Sequence, residues 1–318
     1  MKMEKNISQK KPLGYRVKRF FSKEYSKLIF LAVLVFPALI AYTYCYVVPI
    51  FSSVYSSFHD WSGFGTMEFI GIENYKSLFQ DDVFFKAIKN DIFYVIGKEI
   101  LIVPLSVLFA LALTRLKLKK FEVNTYRFIL YLPNVLSVSI IGIVWAFIYD
   151  PYNGILNGLL KIVGLEHLIP ANGWLVDYAM PAIIYVASWC GIGYFMILLV
   201  SAINGIPNDL YEAADIDGAG QWKQLWSITV PAIWEKIRYV VVQVVIGTLG
   251  NYSLAMLLVG SSGGVDGVGM VMGLYVYHYG LDSNDPQVGY ANAAAIVLMI
   301  ISSSIILLIN KLMDREDD

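Results

Sequence analysis

Apolar residues gather into six runs, at about 28–50, 92–114, 126–149, 180–203, 237–260 and 289–310, with polar and charged residues concentrated between them. Each run is near the twenty or so residues that a helix needs to cross the hydrocarbon core of a bilayer. Pro37 and Pro49 in the first run and Pro181 in the fourth are tolerable in lipid, where neighbouring helices re-satisfy the freed backbone groups. The pattern predicts an all-α polytopic membrane protein with six transmembrane helices. It divides the chain into a polar leader at 1–27, a membrane domain at 28–310 and a charged tail at 311–318. The long segment 51–91 mixes aromatic and acidic residues and is expected to form short interfacial helices.

The segment 204–235 carries a different periodicity. From Ile206 to Pro231 it reads IPNDLYEAADIDGAGQWKQLWSITVP. Ile206, Leu210, Ala213 and Ala214 recur at three- and four-residue steps, with Asn208, Asp209, Glu212 and Asp215 between them, so a helix here has one small apolar side and one acidic side. Pro207 suits the first helical position, and Asp209 and Glu212 sit near the positive end of the helix dipole. Gly218 can take the left-handed conformation that ends a helix, and Trp222, Leu225 and Trp226 then share a face of a second amphipathic stretch. A helix, turn, helix lying beside the membrane is expected.

Composition agrees with the pattern: 57% of residues are hydrophobic and 15% charged, and the mean hydropathy is +0.60. A globular core cannot absorb that much apolar surface. The net charge of −1 implies no nucleic-acid partner; its distribution is more informative. Segments 1–27, 115–127, 204–238 and 311–318 hold nineteen of the 24 Lys and Arg residues, whereas the alternate loops hold four and Lys98 lies within a span. By the positive-inside rule both termini and the amphipathic insert face the cytoplasm. Cys45 and Cys190 lie in apolar runs, and His59, His167 and His278 fall in three separate loops, so neither a disulfide framework nor a metal site is expected. The first run has no small-residue cleavage site after it and reads as an uncleaved span. Lys98 and Glu99 lie about 26 Å from Arg115 at roughly 1.5 Å per residue, which places the pair near the outer interface, where snorkelling is favoured over lining a solute path.

Glu212, Ala213 and Ala214, Gly218 beyond them, and then Ile228 and Pro231 resemble the EAA motif of ATP-binding cassette (ABC) importer permeases. The usual ending is Ile-x-Leu-Pro; here Val230 precedes Pro231. FIGIENY at 69–75, YDPYNGILN at 149–157 and LYVYHYG at 274–280 extend the resemblance to the sugar-type permeases of binding-protein-dependent importers, whereas VGSSGGVDG at 259–267 departs from the TGGGP-like turn of many relatives. The resemblance implies a type I ABC importer permease fold in the prokaryotic plasma or inner membrane. It also implies pairing with a second, different permease, a cytoplasmic ABC ATPase dimer and an extracellular or periplasmic sugar-binding protein. Leu210, Glu212, Ala213, Ala214, Asp217, Gly218, Ile228 and Pro231 would then form the ATPase-coupling surface.

No G-x-x-x-x-G-K-[ST] sequence occurs, so a phosphate-cradling loop is lacking; ATP and Mg are expected on the partner ATPase, with no cofactor on this chain and no catalytic or metal-binding residue. Sugars are held by aromatic platforms and neutral hydrogen-bonding groups. Trp145, Tyr149, Trp189, Tyr194, Asn251 and Tyr252 are such groups at span positions, although aromatic belts account for many of their kind. Asn251 and Tyr252 stand out because the polar stretch Gly250–Ser253 interrupts the fifth run. Two other classes stay open: an ion-coupled secondary sugar carrier, which would want more buried charge in its spans, and a membrane scaffold whose insert binds another protein.

Overall fold

The computed structural model describes residues 13–116 and 118–313. Residues 1–12, Lys117 and 314–318, which include the start of the expected leader and most of the charged tail, lie outside the described residues.

Contacts divide the chain at Tyr55 into two units. In the first, α1 (Leu13–Tyr42) runs through a π turn at Thr43–Val47 into α2 (Val48–Ser56). The helix thus begins inside the expected leader, and its apolar part, Ile29–Ser56, outlasts the expected end at residue 50. Phe30, Leu34, Phe36 and Phe51 are all exposed along it, as suits a helix solvated by lipid. The π turn ends two residues before Pro49, whose ring crowds the carbonyl four residues back and withholds an N–H. A second π turn, Leu225–Thr229, ends two residues before Pro231. In both places the helix widens where the proline would otherwise break it.

The second unit opens with a small antiparallel hairpin, β1 (His59–Asp60) with β2 (Glu68–Phe69), which the hydrophobic pattern does not foreshadow. The short helix α3 (Glu73–Leu78) follows, and its Asn74 side chain donates to the carbonyls of Ser57 (2.9 Å) and His59 (3.0 Å), fastening the hairpin. Helix α4 (Asp82–Arg115) is capped by Asp81, whose carboxylate accepts the Val83 N–H at 2.7 Å. It starts ten residues before the expected position 92.

The expected third span, 126–149, is two helices, α5 (Lys120–Val135) and α6 (Val138–Ile148), bent by 97°. Leu136 and Ser137 are extended between them, and the Ser137 hydroxyl accepts the Ile140 N–H at 3.4 Å, restarting the helix in a new direction. Beyond α7 (Ile155–Ile162) and α8 (Trp174–Asp177), α9 (Ala179–Asn204) is the central element. It packs chiefly against α4 and α5 and buries Ile183, Val186, Met196 and Leu199. Small residues permit this approach: a Cβ on Gly193 would stand 2.0 Å from the Leu130 carbonyl oxygen.

The insert comprises α10 (Asn208–Ile216), α11 (Gln221–Gln224) and, after the π turn, α12 (Val230–Ala232). The fifth apolar run is α13 (Trp234–Thr248) and α14 (Ser253–Val259), bent by 52° where Gly250 takes a φ of +80°. The chain ends with α15 (Met272–Tyr277) and α16 (Val288–Met313). Among the described residues, four helices are long and apolar enough to cross a membrane, and up to six spans result if each bent pair counts as one.

Candidate functional site

Pro207 sits one residue ahead of its expected place, as the cap of α10. The helix ends where Gly218 adopts a φ of +72°, and Ala219 N–H closes it on the Ala214 carbonyl at 2.9 Å. A Cβ on Gly218 would meet nothing within 4 Å, so the requirement for glycine is conformational and not one of space. The Gln224 amide straps the turn, donating to Asp215 Oδ1 (2.5 Å) and the Ala219 carbonyl (2.9 Å). Helix, turn and second helix are therefore one stiff piece.

Most of that piece faces outward. Leu210, Glu212, Ala213, Ile216 and Asp217 are exposed, Ile216 by 87%. Trp222 and Trp226 project beside each other with ring centroids 6.0 Å apart. Ala214 and Ile228 are half-buried and Pro231 is exposed. Tyr211 is the buried residue of α10: it is 8% exposed, its hydroxyl pairs with Thr229 Oγ1 at 2.9 Å, and the Arg115 guanidinium lies 3.6 Å from its ring centroid. Sequence periodicity missed this residue. Tyr211 falls between the recurring apolar positions, and its partners come from α4 and from the π turn.

The six candidate solute-facing residues occupy three places. Trp145, Tyr149 and Trp189 come together, with ring centroids 5.2 Å (Trp145 to Tyr149) and 5.6 Å (Trp145 to Trp189) apart, and Tyr185 and Trp174 join them. Trp145, Tyr149, Trp174, Tyr178 and Tyr185 wall a cavity of about 710 Å³. Trp174 is oriented by donating its indole N–H to Asn157 Oδ1 at 2.7 Å. Tyr194 stands apart, edge-on to Phe195, in a second cavity of about 850 Å³ with Tyr131, Ser201, Lys236 and Tyr239. Asn251 and Tyr252 form the break between α13 and α14. Asn251 is exposed and Tyr252 stacks on Tyr277 at 5.1 Å.

Lys98 and Glu99 stand at the middle of α4, sixteen residues from its start. Lys98 Nζ lies 5.2 Å from the Tyr94 ring centroid, and Glu99 Oε1 is buried without a hydrogen-bond partner among the described residues. The ten residues preceding Ile92, rich in Lys and Asp, are helix and not loop, so the helix extends beyond the expected span.

Long apolar helices, with a stiff polar insert exposed between two of the apolar runs, define the class of multi-pass membrane proteins. The chain belongs to the family of binding-protein-dependent transport system inner membrane components, whose family model matches residues 102–316. It is 35% identical over 275 residues to the probable ABC transporter permease protein YurN of Bacillus subtilis, covering 86% of this chain and 91% of that one. It is 32% identical to the diacetylchitobiose uptake system permease protein NgcF of Streptomyces coelicolor, covering 84% and 78% of the two chains. Among solved structures, a chain of a bacterial ABC transporter involved in import of the acidic polysaccharide alginate shares the fold, with a TM-score of 0.78 at 24% identity over 93% of this chain and 98% of that one. The protein is a non-catalytic permease subunit of the multi-pass inner membrane type, and an ion-coupled carrier is not favoured.

Proposed function

We propose that this permease pairs with a second, different permease to form the membrane pathway for a sugar, an oligosaccharide or a related polyol, delivered by an external binding protein and driven by a cytoplasmic ATPase dimer that holds ATP and Mg. Six spans cross the bilayer with both termini inside, the bounds being a leader at 1–27, a membrane domain at 28–310 and a tail at 311–318. The 204–235 insert is the EAA coupling element: Leu210, Glu212, Ala213, Ala214, Asp217, Gly218, Ile228 and Pro231 seat it in a cleft of the ATPase, whose closure moves it as a lever. The observation that carries this assignment is the outward presentation of α10, which buries Tyr211 while Leu210, Glu212, Ala213 and Ile216 are exposed.

The sugar class is supported by the named cargo of the Streptomyces relative and by the paired rings of Trp145, Tyr149 and Trp189. Tyr194, Asn251 and Tyr252 offer neutral polar groups of the kind sugars need, at other points along the path. Affinity purification through a tag on this chain, followed by ATPase assay and uptake of a panel of radiolabelled di- and trisaccharides, tests the proposal. Gly218→Val forces a β-branched residue into a left-handed position at a cost of about 1–3 kcal/mol, and is expected to abolish uptake. Normal ATPase association and uptake in that variant would sink the coupling role. Asn251→Leu is expected to change which saccharide is preferred; an unchanged profile removes Asn251 from the path.

A further inference from the structure

Helix α4 carries polar side chains that an apolar span does not need, and they are spent on two distant joints. At one end, Arg115, the last residue of α4, lays its guanidinium 3.6 Å from the ring centroid of Tyr211. The ring face attracts the cation electrostatically, the more strongly the less water lies between them. Tyr211 passes the constraint to Thr229, which is 2% exposed, so both halves of the insert are fastened at this point.

At the other end, Lys86 Nζ donates to the Asp266 carbonyl at 2.6 Å, and Asn90 Nδ2 donates to the Met270 and Val268 carbonyls at 2.8 and 3.2 Å. Asp91, 4% exposed, accepts the Met272 N–H at 3.3 Å. Asp81, the cap of α4, accepts the Tyr275 and Tyr290 hydroxyls at 2.5 and 3.2 Å. The Lys86 and Asn90 bonds satisfy carbonyls of the glycine-rich segment after α14, which is itself stiff. Gly269 N–H closes on the Gly263 carbonyl at 2.8 Å, a Cβ on Gly263 would lie 2.9 Å from Met270 Cα, and Asp266 is held at a φ of +53°. The helix runs without interruption for 34 residues, and the stretch from Lys86 to Arg115 that separates the joints, with Pro104 inside it, is about 44 Å long at roughly 1.5 Å per residue.

Resting on the coupling role proposed above, we infer that α4 is a tie across the membrane domain: it joins the ATPase-facing insert to the glycine-rich 260–272 segment on the opposite side, with Arg115 and Tyr211 as positioning residues of the inner joint. Movement of the insert is then carried to the outer segment through one rigid element, and docking at the outer segment is felt at the insert by the same route. A chain of stiff contacts is the physical warrant; coupling between its two ends is the quantity to measure.

The test uses the whole complex, retained through a tag on this chain, and compares hydrogen–deuterium exchange of residues 260–290 before and after trapping with MgATP and vanadate. In the unsubstituted complex, trapping is expected to change exchange in that segment. Arg115→Gln and Tyr211→Leu are expected to keep the ATPase bound and lose the trapping-induced change, while Tyr211→Phe, which keeps the ring, retains most of it. Asn90→Leu at the outer joint is expected to lose it as well. An unsubstituted complex with no change, or Arg115→Gln and Tyr211→Leu complexes with the full change, overturns the tie. If the unsubstituted chain retains no ATPase at all, the coupling role itself fails, a result distinguishable from failure of the tie alone.

Discussion

The helices of the first and fourth apolar runs are equally apolar, each with a mean hydropathy of 2.1 over its best window, yet they differ in how much of that window is buried. None of that window is buried in Ile29–Ser56, whereas half of it is buried in Ala179–Asn204. Hydropathy measures suitability for a bilayer and is silent on what a helix touches. The first helix leaves Phe30, Leu34 and Phe36 exposed, whereas α9 places Gly193 against the Leu130 backbone and Gly191 against the Ile102 side chain.

Substitutions of graded severity can break that contrast. Gly193→Ala drives a methyl group against the Leu130 carbonyl oxygen, a backbone atom that cannot step aside. It is expected to cost more than about 4 kcal/mol and to remove the monodisperse species from detergent extracts. Met196→Ala empties a fully buried site on the same helix and is expected to cost about 2–5 kcal/mol, seen as a lowered thermal midpoint. Gly191→Ala meets only the tip of the Ile102 side chain, 2.9 Å away. A rotamer change relieves it, so a loss of about 1 kcal/mol is expected, at the lower limit for overpacking. Leu34→Ala, on the exposed first helix, is expected to stay within about 0.5 kcal/mol. If Leu34→Ala instead weakens the assembled complex as much as Met196→Ala does, that face of the first helix is covered by another subunit.

Much of the architecture was legible along the chain because bilayer thickness dictates run length. The break at Gly250–Asn251 could be read from polar residues that an apolar helix does not tolerate, and Gly218 from the helix end it serves. The start of α4 could not. Lys86, Asn90 and Asp91 argue against a span when only their neighbours in sequence are considered, and their partners, Asp266, Val268, Met270 and Met272, lie far along the chain. The 97° bend at Leu136–Ser137 was hidden for the opposite reason: a single serine cap in an otherwise apolar run sets it. Within the insert, the helix and its end at Gly218 followed from amphipathic spacing and the glycine. Tyr211 and the separation of Tyr194 from Trp145 and Trp189 did not, since both depend on which helices meet.

The bend in the third apolar run also bears on how the chain enters the bilayer during synthesis. Its two halves have 16 and 11 residues, about 24 and 16 Å at roughly 1.5 Å per residue, and neither reaches across about 30 Å of hydrocarbon. Their extended junction, Leu136 and Ser137, is exposed even in the complete chain, so the cover available to this segment lies along α5. Only when α9 emerges does a surface exist that accepts α5 closely, through Gly193 against Leu130. Integration of this segment is thus deferred to a later part of the message, and a chain truncated before residue 179 is expected to leave it at the membrane surface, open to protease.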